Sequence, residues 1–471
     1  MKILSTGDWF RRDAGAPPLG VVLFLVLGAA IWLVYRPGLA GPYVFDDFQN
    51  ITRNRPVAME SLSFGNLMTA AFSKAEGSVG RPVPMASFAL NYFLAGSSFD
   101  PVAFKATNLV IHCVNALLVF LLARLFFRLR SAAVPAGATV PSERRILLLA
   151  LFASALWALH PLQLTSVLYT VQRMTSLSAF FVLAGMLVFA HGRRRLDQRN
   201  GAAFAQMAAG IGGGTALGLL CKENAVLLPL LAAAVELFFF ERDSLSVSAR
   251  RRLRLFYLCA VWLPIFAGLI FVLSNPDFVL RAYATRSFTP MERLLTESRV
   301  LFFYVSLILY PLISRFGLYH DDFELSTGLL SPPSTLIAVI AWVVIGAALL
   351  AGARRRTLWA FGIAWFLVGH ALESTVIGLE IIHEHRNYLP SVGPLFVLAH
   401  YLAAATEKIR LNARTVGVLA ICILLTFGFV TYSRAQSWSS RVSLFEFLVR
   451  HHPGSYRALS GLAVAMKEQG R

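Results

Sequence analysis

Apolar runs of membrane-crossing length recur from one end of this chain to the other, and that recurrence limits the fold more than any single motif. A helix needs about 20 residues to cross a bilayer and tolerates about 17. Runs of that order lie near 20–37, 107–128, 203–220, 255–273, 335–352, 358–377, 388–405 and 414–431. Shorter ones lie near 146–162, 175–191, 224–240 and 299–314. With 57% hydrophobic and only 14% charged residues over 471 positions, a soluble globule is excluded. The expected fold class is all-α: a polytopic integral membrane protein.

The formal net charge of +18 raises the question of nucleic acid. The arginines, however, sit in short clusters between apolar runs and not along one amphipathic face, so no nucleic-acid partner is expected. They orient the helices instead, because Lys and Arg stay on the cytoplasmic side. Arg128, Arg130, Arg144 and Arg145 mark one cytoplasmic loop; Arg193 to Arg195 mark the next. Arg250 to Arg252 with Arg254, then Arg354 to Arg356, then Lys408, Arg410 and Arg414 mark three more. Lys2, Arg11 and Arg12 precede a first run without a small-residue cleavage site, which reads as an uncleaved first helix. Twelve crossings would place Arg354 to Arg356 outside. About eleven satisfy every cluster if 299–314, which has the length of a re-entrant helix, does not cross.

The division that follows is a cytoplasmic segment 1–19, a membrane domain 20–432 with a large outer loop 38–105, and an outer helical segment 433–471. Cys113, Cys221, Cys259 and Cys422 lie in or beside apolar runs without metal-like spacing and read as small core residues.

Ionisable groups at membrane boundaries are functional candidates, because burying them is costly. On this topology the outer segments carry Asp46, Asp47, Arg81, His160, Arg173, His320, Asp321, Asp322, Glu380, His383, Glu384, His385 and Arg386, with Lys222 and Glu223 at the tip of another hairpin. Asp46-Asp47 has two readings. One carboxylate is a general base, or the pair is an N-cap for the turn beginning at Phe48. His160-Pro161 can equally end a helix. His383 and His385 are only two residues apart, unlike the i, i+4 pair of a zinc-binding helix. Arg293 and Arg299 read as snorkelling side chains.

Phe45-Asp46-Asp47 after the first span, Arg81-Pro82, Leu159-His160-Pro161 with Arg173 downstream, Cys221-Lys222-Glu223, and His385-Arg386-Asn387-Tyr388-Leu389-Pro390-Ser391 occur here in an order that resembles one family. The chain is similar, over roughly 19–471, to GT-C type glycosyltransferases, in particular the transmembrane and tetratricopeptide-repeat O-mannosyltransferases and their bacterial relatives. Gln163 and Thr165 stand where those relatives often carry His and Glu.

The resemblance implies sugar transfer from a polyprenyl-phosphate donor to an extracytoplasmic protein or glycan acceptor, with inversion. It also implies location in a bacterial inner membrane with the site facing the periplasm. On it, Asp46 or Asp47 is the base, with Asp46 preferred. Arg386, His385, Lys222 and Arg173 hold the leaving phosphate, and Arg81, His160, Glu223, Glu384, Tyr388, His320 and Asp321 are further site candidates. Mg²⁺ or Mn²⁺ bridging Asp46 or Asp47 to phosphate remains open, since hard cations favour carboxylate and phosphate oxygens.

Ser455 to Ala463 reads like the first helix of a tetratricopeptide repeat. Two other classes compete. A transporter or lipid flippase also places charges at helix ends, although the spans carry no inverted repeat; a non-catalytic anchor for periplasmic interactions would make the Asp pair and Arg386 dispensable.

Overall fold

The computed structural model describes residues 19–73, 80–132, 140–196, 200–242 and 245–470. Apart from Leu19, the cytoplasmic segment expected over 1–19 lies outside them. Among the described residues there is no β-strand. Nineteen α-helices follow in order among the described residues: α1 Leu19–Tyr35, α2 Phe64–Ala71, α3 Pro82–Leu94, α4 Pro101–Ala132, α5 Glu143–Ala158, α6 Leu164–Leu168, α7 Arg173–Arg194, α8 Asn200–Leu219, α9 Leu228–Phe239, α10 Val247–Tyr257, α11 Leu263–Ser274, α12 Asp277–Leu280, α13 Pro290–Leu309, α14 Ser334–Arg354, α15 Leu358–His370, α16 Val392–Lys408, α17 Ala413–Ser437, α18 Arg441–His451 and α19 Tyr456–Glu468. The chain is a polytopic all-α membrane protein. Among the described residues six stretches are long and apolar enough to cross unaided, and a seventh if the bent pair α5 and 161–168 counts as one.

Lipid offers no hydrophobic drive between helices, so close backbone packing carries much of the association. The α7–α8 contact shows it: a methyl placed on Gly185 would lie 2.5 Å from the Gly210 carbonyl oxygen, and one on Gly210 2.5 Å from the Phe189 nitrogen. Cys221 is buried, but Cys259 and Cys422 are exposed on helix surfaces, which corrects the reading of all four as core residues. An apolar helix face needs no inward partner when lipid is its solvent.

The basic clusters meet at one end of the bundle. Arg130 donates to the Arg356 carbonyl at 3.1 Å, Arg356 to the Phe240 carbonyl, and Arg193 pairs with Glu236 at 2.7 Å and reaches the Glu241 carbonyl. The acidic and histidine-bearing loops meet at the other end. There α13 has both of its ends: Arg293 donates to the carbonyls of Glu373, Thr375, Leu379 and Glu380, and the Ile308 carbonyl bonds His160 Nε2 at 3.0 Å. Arg293 is therefore fully enclosed in protein and does not snorkel. It ties α13 to the 373–380 loop.

The C-terminal segment lies at that same end. Rather than one isolated helix, α18 and α19 form a close pair, with Gly461 pressed so tightly on Phe445 that a β-carbon would meet the ring at 2.0 Å. Asp321 caps α19 by accepting from the Ser455 hydroxyl and the Arg457 N–H. Asp322 bonds His452 at 3.1 Å. The acidic cluster after His320 thus docks the C-terminal helices.

Candidate active site

The first loop turns sharply at Phe45, whose φ of 46° places a bulky residue in the left-handed region, a conformation that persists only where surroundings enforce it. The two carboxylates that follow have different surroundings. Asp47 is fully buried; its Oδ2 accepts the Val44 N–H at 3.0 Å and its Oδ1 the Val171 N–H at 2.6 Å. It makes no side-chain cap to the turn over Phe48–Thr52, so the N-cap reading does not describe it. Nearby, the buried Lys105 ammonium donates to the carbonyls of Gly38, Gly41 and Pro42. Burial pushes the Asp47 carboxyl up to about 7, against the lowering effect of its two N–H donors and of Lys105.

Asp46 is only partly buried. Its N–H donates to the Tyr169 hydroxyl at 3.1 Å, and its carboxylate is hydrogen-bonded by Tyr169 and faces the charges of His383, Glu380 and Arg81. Burial raises its pKa above the ordinary carboxylate value, while Tyr169, His383 and Arg81 act in the opposite sense. A carboxyl so placed is a better proton acceptor than a solvated one.

Arg81 and His383 face Asp46, and Lys222 and Arg386 join them around His385. Arg81, one residue ahead of the Pro82 that opens α3, forks onto Glu223 at 3.0–3.4 Å. Lys222, at the α8–α9 hairpin, pairs with Glu373 at 2.9 Å and reaches Thr175 at 3.2 Å. Asn224 donates to the other Glu373 oxygen at 2.7 Å. Burial works to raise the Glu373 carboxyl, yet Lys222 and then Arg386 hold it at about 2. His383 bonds Glu380 at 2.9 Å and stacks on His385 at 4.9 Å.

His385 stands among these groups with its pKa held well below the ordinary imidazole range, first by burial and then by the charges of Lys222, His383, Arg386 and Arg81. A neutral imidazole crowded by cations is a place where an anion would be stabilised. Arg386 is buried, and its guanidinium donates to the carbonyls of Ile381 at 2.8 Å and Glu380 at 2.6 Å. Its charge therefore faces the cluster while two of its nitrogens shape the loop.

Other candidates lie outside this group. Arg173 is fully enclosed: it donates to Asn108, Asn91, Ser87 and the Phe104 carbonyl, over the Phe88 ring. Those bonds tie α3, α4 and α7 together and leave no fork for a phosphate. His160 caps its own turn by accepting the Leu162 N–H and bonds the Ile308 carbonyl. The Tyr388 hydroxyl is taken by His112 and Asn115 within the bundle. Glu384 is a buried partner of Arg434 at 2.8 Å and of the Gly317 N–H, with His320 at 3.5 Å. Asp321, as above, serves α19. Tyr169, Glu373, Glu380 and His383 join the site without having been singled out for a role in it; the charge of Glu380 and His383 at an outer boundary and of Glu373 inside the run 358–377 was the available signal, and Tyr169 gave none.

Among the described residues no three His, Cys, Asp or Glu side chains gather as a cation site, and both Asp47 oxygens are committed to N–H groups. These residues do not form a protein-only cage for Mg²⁺ or Mn²⁺.

Neither a family model nor a solved structure matches the chain. Curated proteins do. A Drosophila melanogaster protein O-mannosyl-transferase, Tmtc3, is 22% identical over 98% of the chain and 55% of its own length. The chain is similar to the protein O-mannosyl-transferases. The Homo sapiens protein O-mannosyl-transferase TMTC4 is 27% identical over 48% of the chain and 30% of its own length. Drosophila melanogaster Tmtc2, of the same description, is 27% identical over 69% of the chain and 34% of its own length. The chain thus spans between about a third and just over half the length of these O-mannosyl-transferase relatives.

Proposed function

We propose that the chain is a membrane glycosyltransferase that moves a sugar from a polyprenyl-phosphate donor to a hydroxyl of an extracytoplasmic acceptor, a protein side chain above all, with inversion. The observation that carries this reading is the contrast within the Asp pair: Asp47 is consumed by backbone N–H groups, while Asp46 faces His383, which stacks on the cation-crowded His385. The positive-inside rule puts the Arg-rich end in the cytoplasm and the site on the opposite face; in a bacterial cell that face is periplasmic. The protein O-mannosyl-transferase relatives support the sugar chemistry.

In this reading the acceptor O–H gives its proton to Asp46 as its oxygen attacks the anomeric carbon. The bond from that carbon to the phosphate oxygen breaks on the far side, and its electron pair stays on the phosphate. Lys222, Arg81 and the Arg386 charge stabilise the added negative charge in a partly dehydrated site. His385, neutral beforehand, is placed to take up a proton once phosphate arrives. The steps use protein side chains alone.

A transfer assay with the purified, detergent-solubilised chain tests the reading. A panel of polyprenyl-phosphate sugars should give labelled acceptor with unmodified protein and at least about a hundredfold less with Asp46→Asn. Equal labelling by both would remove Asp46 as the base, and no labelling by unmodified protein would return the ground to a transporter, flippase or anchor.

A further inference from the structure

The first loop and the C-terminal helix pair enclose a half-open cleft of about 390 Å³. Phe45 and Arg53 stand on one wall, Arg441, Arg457 and Ser460 on the other, with Tyr319 between. Three arginines line it and no carboxylate does. Two are already neutralised from behind: Arg441 by Glu468 at 2.8 Å and Arg457 by a bidentate pair with Glu380 at 2.9 and 3.1 Å. Arg53 is exposed, lies over the Phe48 ring at 5.4 Å, and pairs with no carboxylate among the described residues.

The cleft leads to the catalytic groups. Arg457 lies over the rings of Phe45 and Tyr319 at 5.4 and 5.6 Å. Phe45 immediately precedes Asp46, and Glu380 holds the His383 that faces it. The left-handed backbone at Phe45 separates the two directions: its ring enters the cleft and the next carboxylate turns to the site.

We propose that this cleft seats the acceptor as an extended polypeptide segment with acidic residues flanking the modified hydroxyl. The proposal rests on Asp46 as the base. Arginine and aromatic side chains without any acidic lining suit carboxylates and peptide planes, and an open groove admits a chain where a closed pocket would not.

Fluorescence anisotropy with the full chain in detergent tests this, using two labelled synthetic peptides: Ser and Thr alternating with Asp and Glu, and its counterpart with Asn and Gln. The acidic peptide should bind and the neutral one should bind roughly tenfold more weakly or worse, the size expected for losing a charge-assisted hydrogen bond. Arg53→Gln should weaken the acidic peptide by a similar factor, and Ser460→Trp, an exposed change that fills the groove, should abolish binding with unaltered thermal unfolding. Asp46→Asn should bind it normally. Equal affinity for the two peptides, indifference to both Arg53→Gln and Ser460→Trp, or displacement by phosphatidylglycerol vesicles would overturn the proposal. Peptide binding without any sugar transfer by unmodified protein would leave the cleft standing and sink the catalytic reading.

Discussion

Asp47 and Val171, 124 residues apart, are joined by a 2.6 Å hydrogen bond from the Val171 N–H to the carboxylate. The same carboxylate holds Val44, so one buried side chain pins the first loop to the turn ahead of α7. Tyr169, which holds Asp46, lies two residues before Val171. Asp47 thus sets the position of the residue beside it.

That relationship makes Asp47 a stability position. Asn offers only one acceptor oxygen, so Asp47→Asn leaves one buried N–H unpaired, a cost of about 1–3 kcal/mol. A lower thermal midpoint in detergent is expected. A midpoint equal to that of unmodified protein would remove the pinning role.

Lys222 and Glu373 form a buried pair that can be dissected by mutation. Lys222→Met alone strands the Glu373 carboxylate and should destabilise by about 3–5 kcal/mol. Adding Glu373→Gln should restore much of the stability without restoring donor binding. A double variant that binds a polyprenyl-phosphate sugar normally would take Lys222 out of the phosphate site.

Acid should act through two groups with opposite signs of shift. Asp46, raised above the ordinary carboxylate value of 3.8, must be deprotonated to work, so the acid limb of the rate profile should fall at a pH above that of a free aspartate. Glu373 is held at about 2 against 4.5 unperturbed. Its stabilisation is complete above about pH 4.5 and is lost as pH falls toward about 2. Turnover should therefore fail at higher pH than folding does; simultaneous loss of both would contradict the assignment.

His385 supplies a separate readout. Phosphate entering among Lys222, Arg386 and Arg81 should raise its depressed pKa, so donor binding should take up protons near neutrality. Calorimetry in buffers of different ionisation enthalpy measures that uptake, and a heat independent of buffer would argue against phosphate beside His385.

The membrane class and the gathering of the basic clusters at one end were legible in the sequence, because apolar length and charge placement act locally. The division of labour between Asp46 and Asp47 was not. It depends on an N–H contributed from 124 residues away, and two adjacent aspartates look alike in one dimension. Arg173 illustrates the same limit: an arginine opening a helix at the outer face suits phosphate equally well, and its structural role follows from Asn91 and Asn108. Buried asparagines on otherwise apolar helices were the available signal. Lys105, a lone cation ahead of a long apolar run, was another.

Turnover of Asp46→Asn tests most directly the proposal that Asp46 accepts the proton from the acceptor hydroxyl. With purified protein and a transferable polyprenyl-phosphate sugar, the rate should fall by about 10²–10⁴-fold, while donor binding and the thermal midpoint stay near those of unmodified protein. Turnover at the unmodified rate would contradict the assignment.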